Sequence, residues 1–274
     1  MTRASAMAFD STGGMHDACR RGLRHVLLAC ADTKLLLGFH YGEWTFGTPE
    51  LEAAVANCSL SQSELGHVRL IHGLLKKHYD DDPDALIDTR GADAFANVSY
   101  LDKPLAGWPA VVAMTAIVDL AVTRMIHSLR ASTFKPLGMS VDKMLDEERY
   151  HIHHGRGWFR TLAARDGPRR EALETQVALA LEAAAEWFGP NDDEDRALVD
   201  HGIKAMSNRD LFDALIEDVR EMTTPVEMTV HKPMPTFGDW TASTRRVGGP
   251  GAGGPDAEIL YHLRGSKNEI FKLG

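Results

Sequence analysis

The hydrophobic positions of this chain recur with the period of an α-helix over most of its length. They do so from Met15 to His40, and between Leu23 and Phe39 the apolar residues surround the helix axis almost completely. A helix that is apolar on nearly all its faces is a buried one. No segment sustains the two-residue alternation of a half-buried strand. The pattern therefore predicts an all-α protein whose first helix lies in the interior.

Five further helices are predicted from the same period and from the residues that interrupt it. The second helix is expected to have Thr48 as its cap and Pro49 at its first position, and to end near Tyr79, before an Asp-Asp-Asp-Pro segment. The other four are predicted over residues 109–130, 141–164, 169–187 and 208–222. We expect a four-helix core formed by residues 16–40, 50–79, 109–130 and 141–164.

The pattern also divides the chain into three parts. Residues 1–14 are predicted to be a flexible leader, residues 15–233 a helical domain, and residues 234–274 an irregular tail rich in glycine and proline. The helical period is lost after Pro233, and residues 248–255 have the composition of a flexible loop. A chain of 274 residues suits one large domain with such appendages.

Composition and charge narrow the function classes. The formal net charge is −9, so a nucleic-acid partner, which requires a basic face, is not expected. Cys19, Cys30 and Cys58 are scattered and odd in number, which favours free thiols in a reducing cytoplasm. We identify no apolar run of the roughly 18 residues that cross a bilayer and no signal-peptide core at the N-terminus. A cytoplasmic protein with no membrane partner is therefore predicted.

Two Glu-x-x-His pairs, Glu64–His67 and Glu148–His151, lie within apolar stripes of two predicted core helices. Residues three apart share a helix face, so each pair directs a carboxylate and an imidazole at one point. Two such pairs on facing helices supply half of a carboxylate-bridged dinuclear metal site in a helical bundle. Mixed carboxylate and imidazole ligation suits iron or manganese. The alternative is that each pair is solvated on a helix surface.

The third core helix contributes one charged residue. Asp119 is the only charge within residues 109–123, and a carboxylate in an apolar stripe needs a partner. We predict that Asp119 is a terminal metal ligand; pairing with Lys34 or Arg124 is the alternative. A complete site also needs a carboxylate from the first helix, whose stripe offers Lys34 instead. Asp32, on another face of that helix, is a weaker candidate.

Longer segments around these residues resemble the phenylacetic acid catabolic proteins, the ferritin-like subunits of the multicomponent phenylacetyl-CoA epoxidase. The resemblance runs from about Leu35 to Pro233. Its strongest segments are Gly42-Glu43-Trp44 with Pro49-Glu50-Leu51, Glu64-Leu65-Gly66-His67, Glu147-Glu148-Arg149-Tyr150-His151, Phe188-Gly189-Pro190-Asn191-Asp192-Asp193 and Pro225-Val226-Glu227-Met228.

The resemblance implies a ferritin-like four-helix bundle with additional C-terminal helices, and it combines features of two kinds of subunit. The Gly-Glu-Trp segment and Arg149-Tyr150-His151 are similar to the family's structural subunit, whereas both Glu-x-x-His pairs, Asp119 and the turn at 188–193 are similar to its catalytic, di-iron subunit. The catalytic ligands, carried across position by position, are Glu64, His67, Asp119, Glu148 and His151; the sixth, a glutamate, falls on Lys34.

Two functional hypotheses follow. In the first, one or two iron ions on those five residues activate dioxygen, and the chain is part of a di-iron-type oxygenase that epoxidises the ring of an aryl-CoA thioester. A separate reductase would supply electrons, because no flavin or nicotinamide fingerprint is present. In the second, Lys34 replaces a metal ligand, since a protonated lysine cannot ligate, and the chain is a non-catalytic subunit that docks a catalytic homologue. A ferritin-like iron oxidase is a third, weaker interpretation.

Both hypotheses include association with a homologous subunit or with a second copy of the chain. The first helix is apolar on more faces than one bundle core needs, and this motivates the prediction.

Overall fold

The computed structural model describes residues 8–164, 166–249 and 251–271. In chain order its helices are α1 (Asp17–Glu43), α2 (Leu51–Tyr79), α3 (Pro83–Asp88), α4 (Trp108–Ala113), α5 (Leu120–Ser128), α6 (Gly138–Ala163), α7 (Pro168–Phe188), α8 (Asp193–Asp200), α9 (Asn208–Thr223) and α10 (Ala257–Leu263). Strand-like pairing in these ranges is limited to two isolated bridges. The all-α prediction is confirmed.

Four long helices form the bundle that positions the site. A π-helical turn, Met114–Asp119, joins α4 to α5, so that one continuous helix runs over Trp108–Ser128. This composite helix packs with α1 and α6, and α2 packs with the same two helices. The four members correspond to the four predicted core segments, and the ferritin-like bundle is thereby confirmed. The helices α7 and α9 are the two additional ones that the periodicity predicted.

Some local expectations are wrong. Thr48 does not cap α2: the capping position is Glu50, which is still extended, and the Thr48 hydroxyl donates to the Glu50 carbonyl oxygen at 3.1 Å. The short helices α3, α8 and α10 were not predicted, because they contain 6, 8 and 7 residues. At most about two helical turns are too few to establish an apolar period.

The first helix is covered by its own chain. Every residue from Val26 to Gly38 is buried. The helices α2, α5 and α8 contact α1, and Leu35 lies in a cluster with Phe95 and Leu260. The surplus apolar faces of α1 are thus filled within one chain. They do not indicate a partner, and that motive for predicting association is wrong.

The continuous helix Trp108–Ser128 is long and apolar enough to cross a membrane by length and composition, with a mean hydropathy of 1.6. The expectation that no segment is long and apolar enough to cross a bilayer is therefore wrong. Asp119 interrupts the apolar run, but a single carboxylate does not make the helix polar. The segment is 89% buried inside the protein, where it forms the centre of the bundle.

The predicted leader and tail both contact the helical domain where they are described. Residues 1–7 of the leader lie outside the described residues, and Phe9 is buried. In the tail, the Arg245 guanidinium donates at 2.5 Å to the carbonyl oxygens of both Trp187 and Phe188. The three-part division of the chain stays a prediction.

Candidate functional site

The bundle core contains a cluster of six ionisable side chains, each at most 2% exposed. One comes from α1, two from α2, one from the end of the π-helical turn and two from α6: Lys34, Glu64, His67, Asp119, Glu148 and His151. The structure therefore brings together the five predicted ligands and Lys34.

Lys34 lies between the two glutamates. Its Nζ atom donates to Oε1 of Glu148 at 2.6 Å and to Oε2 of Glu64 at 2.8 Å, and lies 3.9 Å from Oδ1 of Asp119. Burial alone would lower the pKa of Lys34, but the charges of Glu148, Glu64 and Asp119 outweigh it and raise the pKa above its ordinary value. The core thus holds a charged ammonium.

The same ammonium determines the charge of its partners. Burial alone would raise the pKa of Glu148, but the charge of Lys34, together with His67 and His151, outweighs it, and the pKa falls to about 2. Burial would likewise raise the pKa of Glu64, but Lys34 and the same two histidines together lower it. Both glutamates are therefore carboxylates at neutral pH.

The histidines contact carboxylates across the bundle. His67 Nδ1 lies 3.3 Å from Oε1 of Glu148, and His151 Nδ1 lies 3.3 Å from Oε1 of Glu64. His151 Nδ1 also bonds to Oδ2 of Asp119 at 2.8 Å. Burial alone would lower the pKa of His151, but the charge of Asp119 and this hydrogen bond raise it to about 11. Asp119 is buried beside Glu148 and Glu64, and its pKa is raised to about 7.

Two hydroxyl groups complete the cluster and were not identified from the sequence. The Tyr41 hydroxyl donates to Oδ2 of Asp119 at 2.9 Å, and the Thr123 hydroxyl donates to Oε2 of Glu148 at 2.6 Å. Tyr41 lies seven positions after Lys34, and Thr123 lies four after Asp119. Their helical spacing was available as a signal, but a tyrosine and a threonine in apolar helices carry no requirement for an ionic partner.

The π-helical turn lies close to the backbone of α6. Gly155 is the point of contact, because a Cβ atom added there would lie 3.0 Å from Cγ2 of Thr115 and 3.3 Å from the backbone nitrogen of Ala116. A glycine at this position permits the approach that brings Asp119 to His151.

Two acidic residues near the cluster lie outside its centre. Asp32 pairs with the Arg90 guanidinium and accepts the Ala96 N–H at 2.9 Å, so it holds the segment after α3 instead of facing the cluster. Glu147 has a side chain that is 38% exposed and accepts from His67 Nε2 at 2.9 Å. That bond fixes the orientation of the imidazole from the solvent side.

The side chains of the cluster meet only some of the requirements of a metal site. Glu64, Asp119, Glu148 and His151 each offer one ligand atom, all within 4.8 Å of one another. Oε1 of Glu64, Oδ1 of Asp119 and Nε2 of His151 are buried without a hydrogen-bond partner. However, Lys34 Nζ lies between Glu64 and Glu148, two of the residues that would hold the metal ions. The residues therefore do not fit a dinuclear centre.

Two of the clefts among the described residues differ in whether they reach the cluster. The larger, of about 920 Å³, is formed by the loop at 99–106, by α7 and by the tail at 233–236, and no cluster residue lines it. The other, of about 620 Å³, lies among α5, α6 and α9 and is lined by Thr123 and Glu148. This second cleft therefore reaches the wall of the cluster from outside.

An all-α bundle in which two facing helices each direct a Glu-x-x-His pair into one buried cluster defines the ferritin-like carboxylate proteins as a class. Within that class the chain belongs to the family described as Phenylacetic acid catabolic protein, whose sequence profile matches residues 6–245. The chain is 26% identical over 177 residues to a subunit of the 1,2-phenylacetyl-CoA epoxidase of Escherichia coli (strain K12), a match covering 64% of this chain and 71% of the relative. The predicted family is confirmed.

Proposed function

We propose that this chain is a non-catalytic subunit of an oxygenase complex of the phenylacetyl-CoA epoxidase type, and that it docks a homologous subunit that holds the metal. Family membership and the similarity to an epoxidase subunit support a place in such a complex. The non-catalytic role is supported above all by the position of the Lys34 ammonium between Glu64 and Glu148.

Charge and space both oppose a dinuclear metal centre in this cluster. Glu148 and Glu64 are two of the residues that would hold metal ions, and Oε1 of the first and Oε2 of the second already accept from Lys34. A protonated lysine has no lone pair to offer a metal, and a nearby metal ion would repel its charge. Lys34 compensates the buried carboxylates as a cation would, and the bundle is held together by an internal ion pair.

The remaining functions of the complex are assigned to other components. The homologous subunit would hold iron, a separate reductase would supply electrons, and an aryl-CoA thioester would be the substrate. This chain contributes a rigid helical partner, since its buried ion pairs fix the relative positions of α1, α2, α5 and α6.

A second candidate function is favoured by the partnerless buried atoms of Glu64, Asp119 and His151. These residues could hold one iron ion beside Lys34, and the chain would then take part directly in oxygen activation. The bound metal would supply redox chemistry, while Glu64, Asp119 and His151 would position it.

The iron content of the purified chain distinguishes the two candidates. We expect protein from iron-supplied cells to contain well under one iron per chain. The substitution Lys34→Glu supplies the missing carboxylate and should raise the iron content. Lys76→Glu, the same charge change at an exposed position on α2, should not. Circular dichroism checks that each variant folds.

One iron per wild-type chain would support the second candidate. Two irons per wild-type chain, or no gain in folded Lys34→Glu protein, would contradict the proposed role of Lys34.

A further inference from the structure

The outer face of α2 carries exposed apolar side chains over the first half of its length. Leu51 is 77% exposed, Val55 61% and Leu65 39%, and Cys58 is exposed between them. Phe46, in the turn before α2, is 99% exposed. A single exposed apolar residue needs no explanation, but several on one helix face mark an interaction surface. We call Leu51, Val55, Cys58 and Leu65 the α2 stripe.

The spacing of the α2 stripe is that of a helix-to-helix contact. Leu51, Cys58 and Leu65 are separated by seven residues each. Seven residues are almost two helical turns, so the three side chains lie nearly in one line. Apolar side chains at this repeat pack against a second helix that lies along the first. Leu65 lies partly against Gly38 of α1, whereas Leu51 and Cys58 are exposed.

Leu51 and Leu65 are equally distant in sequence from Cys58, and this symmetry indicates what the second helix is. If two α2 helices lie antiparallel with a two-fold axis at Cys58, Leu51 of each copy meets Leu65 of the other. The two Cys58 side chains then face each other. A two-fold interface requires such a self-complementary surface, because the same residues are used by both partners.

The charges along α2 favour the same antiparallel arrangement. Glu50 and Glu52 are exposed before Cys58, and Arg69 is exposed beyond it. Arg69 is about three helical turns past Cys58, and Glu50 is about two turns before it. An antiparallel pair therefore brings the acidic end of each helix towards Arg69 of the other, whereas a parallel pair would bring like charges together.

We propose that the α2 stripe binds a second copy of this chain, as an antiparallel helix pair with its two-fold axis at Cys58. The inference rests on the exposed face of α2 and is independent of the proposed function and of the metal content. It places the contact between copies on α2 and not on α1, whose apolar faces are filled internally.

Cys58 makes the test possible with the natural protein. It is exposed, whereas Cys19 and Cys30, the other two cysteines of the chain, are buried. A short bis-maleimide added to purified protein should produce a covalent dimer. Cys58→Ser should abolish the cross-link while leaving the dimer in analytical ultracentrifugation. In the Cys58→Ser background, Leu179→Cys, at a position 48% exposed on α7, should not cross-link.

Charge inserted into the stripe provides a second measurement. Leu51→Glu and Val55→Glu should weaken dimerisation by about tenfold or more, because each buries a carboxylate against Leu65 or its neighbours in the partner. Both positions are largely exposed within one chain, so the variants should fold. Leu179→Glu is the matched control and should leave dimerisation unchanged.

Three results would overturn the proposal. The first is a wild-type protein that stays monomeric at micromolar concentrations. The second is a dimer that is insensitive to Leu51→Glu and Val55→Glu. The third is a Cys58 thiol that reacts fully with maleimide in the purified chain but is protected when a homologous subunit is added. That result would assign the α2 stripe to a different partner.

Discussion

Lys34 Nζ lies 2.6 Å from Oε1 of Glu148, and neither side chain is accessible to solvent beyond 1%. A buried charge is tolerated only when its partner remains, because removal of one member leaves the other unpaired in a medium of low polarity. This pair joins α1 to α6, and the contact with Glu64 joins α1 to α2. The core of the bundle therefore depends on an ammonium as well as on apolar packing.

Removing that ammonium should destabilise the fold strongly. We expect Lys34→Met to lower the free energy of unfolding by about 3–5 kcal/mol, because two buried carboxylates lose their cation. Urea denaturation followed by circular dichroism measures the change. Lys76→Met, at an exposed position of α2, should stay within about 0.5 kcal/mol of wild type. A Lys34→Met protein as stable as wild type would show that the pair contributes no net stability.

Acid should lower the free energy of unfolding by protonating Glu148. Its pKa falls from the ordinary 4.5 to about 2 in the folded state. The ionised form is thus favoured by folding, and its stabilisation is present above pH 4.5 and lost as the pH falls towards 2. Glu148→Gln lacks this contribution. The difference in unfolding free energy between wild type and Glu148→Gln should therefore narrow between pH 5 and pH 2; a constant difference would refute the assignment.

Alkali should lower the free energy of unfolding by deprotonating His151. Its pKa rises from the ordinary 6.5 to about 11 in the folded state. The protonated imidazole is favoured by folding, so its stabilisation is complete below pH 6.5 and is lost as the pH rises to 11. His151→Gln should show a smaller fall in stability between pH 7 and pH 10 than wild type does. Equal slopes for the two proteins would mean that His151 does not hold the extra proton.

Two glycines of α6 provide a matched pair for testing the close approach of the helices. A Cβ at Gly155 would lie 3.0 Å from Cγ2 of Thr115, whereas a Cβ at Gly157 would meet no atom within 4 Å. Gly155→Ala should destabilise the protein by about 1–3 kcal/mol through overpacking. Gly157→Ala should be neutral or stabilise by up to about 1 kcal/mol, because alanine favours a helix. Thermal unfolding of both variants compares them; equal effects would contradict the tight contact at Gly155.

The residues of the cluster could be predicted from the sequence because their chemistry and their helical spacing both indicated one buried site. Glu64 and His67, like Glu148 and His151, share a face because they are three apart. Asp119 was identified because a lone carboxylate in an apolar helix needs a partner, and Lys34 because it lies on an apolar stripe. These positions depend on local geometry alone, so they were predictable before the helices were packed together.

Other parts of the structure could not be predicted in this way. A π-helical turn has the same apolar composition as the α-helix around it, so the periodicity of residues 108–128 did not reveal it. Arg245 and Arg246 are only 3% and 4% exposed, although arginine is usually found at the surface. Their burial follows from carbonyl and carboxylate partners distant in sequence, and such partners can be identified only in the folded chain.

The π-helical turn at Met114–Asp119 gives the third core helix one residue more than a regular α-helix would need over the same path. If the same residues took up regular α-helical geometry instead, the part of the helix after the turn would be rotated by about 100° relative to the part before it. Asp119 and Thr123 would then turn away from His151 and Glu148, and apolar neighbours would face the Lys34 ammonium. The π-helical turn thus sets the phase of the polar positions along an otherwise apolar helix, because it takes up one extra residue without the rotation that an α-helical residue would add.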